Sequence, residues 1–430
     1  MKRIYLIIIA SLVTILNLNA QISALGKYKI YNSFSGIDYI VMFNGIDNNS
    51  EIQYTGNGTS VNWYKYSDRT NSISNLAYIT PEENTGYILD VDGTQISIWV
   101  FDYQQHLPVI TSIEPSDVQD NECETLNLKI TYTSVDLVYE SMTGRKYTID
   151  RTFNVEYETL EWSDTDKKWV TKDEKVEIIL PISSLNIDAP LCDTYFTVSG
   201  DQFAKDLGVD LITVTSSLYQ AVAVKCHITT TTTERTEKNE AERPDNTSID
   251  GSAPLDILFE SNCNISANTY YSWLIKKDGE TLISRTDETH RYTFEDSGSF
   301  NVVLKVTNGN CSYSDSVTIS VSTSAIQIPN VFTPNGDGLN DEFRVGYKSI
   351  VSFECWVYNR WGRKVYYWND PQKGWDGTIN GRKAAPGAYF YVIKAYGSDF
   401  DPNSERNKIS KERTGEFLRK GDINLLRGAQ

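Results

Sequence analysis

Near the end of the chain, NVFTPNGDGLNDEFRV (residues 330–345) crowds amide and carboxylate oxygens into one short run. Such oxygens suit hard cations, and Asn335, Asp337 and Asp341 echo a DxDG-type Ca2+ loop. The bidentate Glu of such a loop is missing at the twelfth position, where Tyr347 or a neighbour falls. The same residues also suit a turn without metal. Pro334 presets φ, while Gly336 and Gly338 permit positive φ. Asn335, Asp337, Asn340 and Asp341 can accept backbone N–H groups in Asx-type turns. Sequence alone leaves both readings open.

Elsewhere the residue types that carry catalysis are sparse. His106, His227 and His290 are the three histidines. On the strand AVAVKCHI, Val222, Val224 and Cys226 share one face, so His227 is expected on the surface. His106 sits at a junction and His290 in a turn-like stretch. No GxSxG, HExxH, Walker loop or GxGxxG occurs. With 57 Asp and Glu in the chain, a pair such as Asp164 and Asp166 selects nothing. A two-carboxylate glycosidase site within 21–235 stays compatible with the sequence, but no catalytic residue is assigned. The aromatic runs NWYKYSD (62–68) and ISIWVFDY (96–103) could line a glycan or peptide site. Trp63 and Trp99 read more simply as sandwich core.

The six cysteines are Cys123, Cys192, Cys226, Cys263, Cys311 and Cys355. No CxxC occurs, which with three His argues against a zinc site. Cys263 and Cys311 flank one β-rich stretch and are expected to pair. Among Cys123, Cys192 and Cys226, Cys123–Cys192 is the preferred bond. Cys355 shares the apolar face of VSFECWVY with Val351, Phe353 and Val357, so it is expected to be a buried free thiol.

The elements that position these residues are strands. Leu126, Leu128, Ile130 and Tyr132 alternate with polar residues. So do Phe153, Val155 and Tyr157, and then Phe300, Val302, Leu304 and Val306. Period 2 with turn residues between runs predicts one-sided sheets. One short helix is expected in GDQFAKDLG (200–208), and a hairpin in YETLEWSDTDKKWV (157–170). The fold class is therefore all-β, as tandem immunoglobulin-like β-sandwiches. The divisions are 21–107, 108–235, a polar linker over 236–253, 254–324 and 326–430.

The first residues, MKRIYLIIIASLVTILNLNAQ, combine Lys2 and Arg3, an apolar run and a small residue at Ala20. They read as a secretory signal over 1–20, removed after Ala20. An exported chain meets an oxidising space, which permits disulfides. The net charge of −17 repels nucleic acid and anionic lipid headgroups, so neither is an expected partner.

Two stretches resemble known families. PLDILFES (254–261), YYSWLIKKDG (270–279) and YTFEDSGSFNVVLKVTNGNCSYSDSVTISV (292–321) resemble a PKD domain, with Trp273 at the sandwich centre. The KKDG turn departs from that family's tighter Gly-Asp-Gly. The tail resembles the type B sorting domain of the type IX secretion system, also called the gliding-motility-associated C-terminal domain of Bacteroidota. The matching pieces are PNVFTPNGDGLNDEFRV (329–345), VYNRWGRKVYYWND (357–370), GWDGTINGRKAAPGAYFYVIKA (374–395) and GDINLLR (421–427). This resemblance marks Asn335, Gly336, Asp337, Gly338, Asn340 and Asp341 as signature positions. It marks Asn359, Arg360, Trp361, Gly362, Trp375, Gly377, Pro386 and Gly387 likewise. Arg360 could stack on Trp361 or Trp375, or present its charge to the secretion machinery, and the two are compatible.

The resemblance implies export by way of the periplasm, to the cell surface, outer membrane or extracellular space. Its implied partners are the translocon and an outer-membrane receptor for the sorting domain. No cofactor is implied beyond the Ca2+ alternative. Three functions then compete: a non-enzymatic surface protein for adhesion, signalling or gliding, a secreted hydrolase with its site in 21–235, and a fixed accessory of the secretion apparatus. The extracellular ligand is not legible.

Overall fold

The computed structural model describes residues 21–182, 184–403 and 413–427. The expected leader over 1–20 lies outside them. Among the described residues strands dominate, with one α-helix, Gln202–Leu207, and one 3-10 turn, Tyr103–His106. Among the described residues no helix is long and apolar enough to cross a membrane. The chain divides into two compact units. The first takes residues up to 121 with 125–159 and 171–220, and the second takes 122–124, 160–170 and everything from 221.

The first unit opens with a five-stranded sheet ordered Tyr28–Tyr31, Tyr39–Phe43, Thr94–Asp102, Thr85–Val91 and Val61–Lys65. A three-stranded sheet of Ile22–Leu25, Glu51–Tyr54 and Tyr78–Ile79 accompanies it. Trp63 is fully buried between them and donates its indole N–H to the Leu76 carbonyl at 3.0 Å. The run YIVMF is buried on both faces. Val41 and Phe43 join the sandwich core, while Ile40 and Met42 join a second core with Leu137, Tyr139, Phe203 and Leu207. A strand covered on both sides has no reason to alternate, which explains the unbroken apolar run.

That second core runs across Pro108, where the sequence suggested a junction. A buried polar network accompanies it. Arg151 Nε donates to Asp201 at 2.6 Å, and the Tyr103 hydroxyl donates to Asp201 at 2.8 Å. Glu83 lies 2.7 Å from His106 Nε2. Asp201 also caps the helix by accepting from Ala204 N, and Gly208 ends the helix at φ 65°. Beyond it, Thr125–Thr133 pairs with Val109–Pro115 and Ser184–Asp188. Arg151–Ser163 pairs with Thr197–Gly200. Leu128, Ile113, Phe153, Val155, Phe196 and Val198 fill the core of this second sandwich.

In the second unit, the Trp273 sandwich packs a three-stranded sheet against a five-stranded one. Trp273 is fully buried and donates to the Asp287 carbonyl at 2.9 Å. Its first strand is Cys226–Thr232, which pairs in antiparallel register with Leu255–Cys263. The polar stretch read as a linker is a folded loop within this region. Arg235 Nη2 donates to Glu240 at 2.5 Å, Ala241 N to the Tyr347 carbonyl at 2.7 Å, and Lys348 Nζ to Glu242 at 2.9 Å. The turn into the tail is equally tied: Ser349 Oγ donates to the Ser322 carbonyl and accepts from Ala253 N.

The register also corrects the cysteines. Cys226 stands directly opposite Cys263, and these two are bonded. Cys311 bonds to Cys123 across 188 residues of sequence. The expected pairs Cys263–Cys311 and Cys123–Cys192 are therefore not formed. The first failed because starting the sandwich at 254 left its edge strand, and Cys226, outside it. The second failed because no local pattern reports so distant a partner. Cys192 is a half-buried thiol and Cys355 a buried one. Burial pushes the Cys355 thiol far up, whereas Cys192 is raised by burial with added push from Glu158 and Asp193.

Peptide mapping without reductant should return Cys123–Cys311 and Cys226–Cys263. Iodoacetamide should label Cys192 slowly on the native chain, faster as pH rises, and Cys355 only after unfolding. A recovered Cys263–Cys311 peptide would contradict this register.

Candidate functional site

The tail builds its own core from Phe332, Phe343, Phe353, Cys355, Trp368, Trp375, Ile393 and Leu425, among others. Its main sheet is ordered Val331–Phe332, Glu416–Leu425, Gly387–Gly397, Ile350–Tyr358 and Lys364–Trp368. Val351 was expected beside Phe353 on the inner face, yet it is 63% exposed. A register shift between Ile350 and Ser352 turns it outward, which period-2 counting cannot anticipate.

The registers bring the signature turns together. Phe332 and Gly387 both stand opposite Leu425, and Tyr358 stands opposite Phe390. The loop after Phe332, the turn before Gly387, the hairpin after Tyr358 and the residues after Leu425 thus leave the same end of the sheet. Each turn has its own chemistry there.

In the loop, Asp341 accepts from Asn335 N at 2.9 Å, Gly336 N at 2.7 Å and Gly338 N at 2.8 Å. Asp337 accepts from Leu339 N and from the Asn335 side-chain amide, and Asn335 Oδ1 accepts from Asp337 N. Gly336 and Gly338 take φ of 85° and 84°, and Asn340 takes 53°. The oxygens considered for Ca2+ thus face N–H donors of their own loop. Among the described residues no group of three or more His, Cys, Asp or Glu converges as a metal site. The amides of Gly336 and Gly338 hold the Asp341 carboxyl below the usual carboxylate range.

In the hairpin, Asn359 Oδ1 accepts from Trp361 N and Arg363 N, and Gly362 turns at φ 75°. Arg360 lies 4.6 Å from the centre of the Trp361 ring, so the stacking partner is Trp361. Trp375 is instead fully buried, 4.8 Å from the Tyr389 ring, with its N–H given to the Thr378 carbonyl. Gly377 turns at φ 72°, and a Cβ there would meet Leu425, Arg427 and Pro334 at 3.0–3.2 Å. Pro386 is exposed and Gly387 sits at φ 137°.

Arg427 ties the loop, the Gly377 turn and the segment before Pro386 together. Its guanidinium donates to the carbonyls of Pro334 at 3.0 Å, Gly377 at 2.9 Å and Ala384 at 3.4 Å. Arg427 falls within GDINLLR, where the sequence does not single it out. A basic residue just past an apolar strand has no pattern that announces three distant carbonyl partners. Beside the loop lies an open groove of about 790 Å3 lined by Asn239, Ile328, Gly338, Asn340, Asp341 and Arg344.

Residues 326–410 match the CHU_C Type IX secretion signal domain. The signal domain directs its chain to the type IX secretion machinery, and so to the cell surface or the extracellular space. Residues 116–216 match a fibronectin type III domain, in line with the sandwich observed there. No curated protein matches the chain. Solved structures similar to it include the FN1–FN3 domains of chicken CNTN1, at 11% identity and a TM-score of 0.23, covering 74% of this chain and 99% of that one. Sidekick-1 immunoglobulin domains 1–5 are similar at 11% identity and a TM-score of 0.23, over 87% of this chain and 75% of theirs. The three N-terminal domains of the bacteriophage RB49 outer capsid protein Hoc are similar at 12% identity and a TM-score of 0.19, over 75% and 97%.

The three histidines fall outside residues 326–410 in the sequence. His106 is buried beside Glu83 and meets the Phe101 ring edge-on at 5.4 Å. His227 is not a free surface residue. It stacks on Trp162 at 4.6 Å with Trp169 at 5.3 Å, because the hairpin tip over 160–170 belongs to the same unit. His290 lies in the strand Thr289–Phe294 rather than in a turn, and burial lowers its pKa. In the first unit, an open groove of about 690 Å3 gathers Glu156, Glu158, Asp173, Glu174 and Asp193 beside Tyr157 and Tyr195.

Arg427→Ala should cost the tail about 2–3 kcal/mol, since charge-assisted bonds to three carbonyls are lost together. Calorimetry of the full chain should show one unfolding transition moved down while others stay. Asp341→Asn should lower the same transition at pH 7. Because the folded carboxyl titrates low, its contribution is present above the usual carboxylate range and fades as pH falls through the lowered value. The gap between wild type and variant should therefore close toward pH 3 and below. A gap that stays constant with pH would show that ionised Asp341 does not hold the loop.

Proposed function

We propose that this chain is a non-enzymatic protein of the bacterial surface, exported through a type B sorting domain and held at the outer membrane by a receptor for that domain. Its sandwiches, including a PKD-like one around Trp273, then present binding surfaces for adhesion, surface signalling or gliding. One observation carries the reading. Every signature turn of the tail lies at one end of a sandwich with its own core, where Arg427 staples the loop to the Gly377 turn. A folded shape displayed at one end suits recognition by another machine better than catalysis.

For the remaining modules, binding is favoured over hydrolysis. The carboxylate-lined groove of the first unit is open and edged by Tyr195, which is 54% exposed, and Glu156 is paired with Lys175 at 2.7 Å. An open aromatic rim suits a glycan or peptide surface. A hydrolase would instead converge its acid and base in a deep, shaped pocket that admits substrate and one attacking water. The most acid–base-like contact, Glu83 with His106, pairs a buried imidazole with a half-buried carboxylate.

Deleting 326–430 should leave the chain in the periplasm with the first unit still folded. Cell fractionation with protease shaving of intact cells measures this. Surface exposure of the truncated chain at wild-type level would end the reading.

A further inference from the structure

Resting on the reading of the tail as an export signal, we propose that its signature end docks through Trp361 and Arg360 into an apolar socket rimmed by carboxylates on the secretion machinery. Trp361 is 77% exposed at the tip of its hairpin. An indole left in water by a domain that buries Trp368 and Trp375 is an unpaired cost, and Trp and Arg are the side chains most enriched where interfaces concentrate their energy. The tip is also pre-ordered. Asn359 fixes two backbone amides and Arg360 lies against the ring, so little freedom is lost on binding.

Charge selects the partner. The whole chain carries 40 Lys and Arg against 57 Asp and Glu, whereas residues 326–430 carry 16 against 12. A basic module thus closes an otherwise acidic chain. At the signature end, Asp337 and Asp341 accept from loop amides, and Asp376 accepts from Thr378. Arg360 and Arg363 are exposed, and among the described residues Arg360 meets an indole rather than a carboxylate. Leu339, 71% exposed, marks the opposite edge of the same end. Five strands spaced about 4.8 Å apart give a face roughly 20 Å wide, the scale of a standard interface.

The full chain should be expressed in a host with a working type IX system as wild type, Trp361→Ala, Arg360→Glu, Arg360→Lys and the 326–430 deletion. The surface and medium fractions are then quantified. The proposal expects the deletion to stall, Trp361→Ala and Arg360→Glu each to fall roughly tenfold, and Arg360→Lys to retain most export. Both exposed variants should melt with the wild type. If the deletion stalls while Trp361→Ala and Arg360→Glu export normally, the docking surface is wrong and the export reading stands. Export of the deletion would remove the export reading itself. Should Trp361→Ala alone melt early, normal export of a wild-type-stable Arg360→Glu overturns the proposal. Trp361-dependent sedimentation of the purified chain with phosphatidylglycerol vesicles would assign the surface to lipid instead, and would overturn it equally.

Discussion

One guanidinium joins three turns at the signature end of the tail. Arg427 leaves the sheet just after Leu425 and meets three carbonyls belonging to three separate turns. Each carbonyl would otherwise need water or a partner of its own at a crowded sandwich end. Because the bonds converge on one rigid planar group, the loop, the Gly377 turn and the segment before Pro386 are fixed relative to one another. The Asn359 hairpin beside them is ordered separately, by the Asn359 side chain on the amides of Trp361 and Arg363. Gly377 shows the same constraint from the other side, since the space a Cβ would need is already filled.

Period 2 carried most of the architecture in the sequence. The runs around Leu128, Phe153 and Val302 became strands with those residues inward, and the Asp201 and Gly208 caps marked the helix. Alternation failed where its premise failed. Tyr39–Phe43 is covered on both faces, and Val351 follows a register shift. Pairing between distant residues was also beyond reach. The site followed the same division. Turn chemistry at Gly336 and Gly338 could be read one residue at a time, while Asn359 and Gly362 were marked only by the family resemblance. Convergence at one end could not, because it depends on which strands lie side by side.

The cysteines and the polar stretch after Thr232 form a single lesson. Low hydrophobicity and high charge suggested a flexible connection, yet Arg235, Glu240 and Glu242 spend their charge on one another, on Lys348 and on nearby backbone. Polar composition argues for flexibility only when the polar groups find water as their partners. Here they find protein, and the strand Cys226–Thr232 before them sits squarely in a sheet.

The bond between Cys123 and Cys311 closes a covalent ring through most of the middle of the chain. A ring cannot be drawn through a narrow channel as a single file of residues. If it closes in an oxidising compartment before the crossing, at least two strands must pass any constriction abreast, with whatever structure they have already formed. The conduit that carries this protein outward would then have to be wide enough for a folded body, and its selectivity would have to come from reading a shape rather than from threading a string.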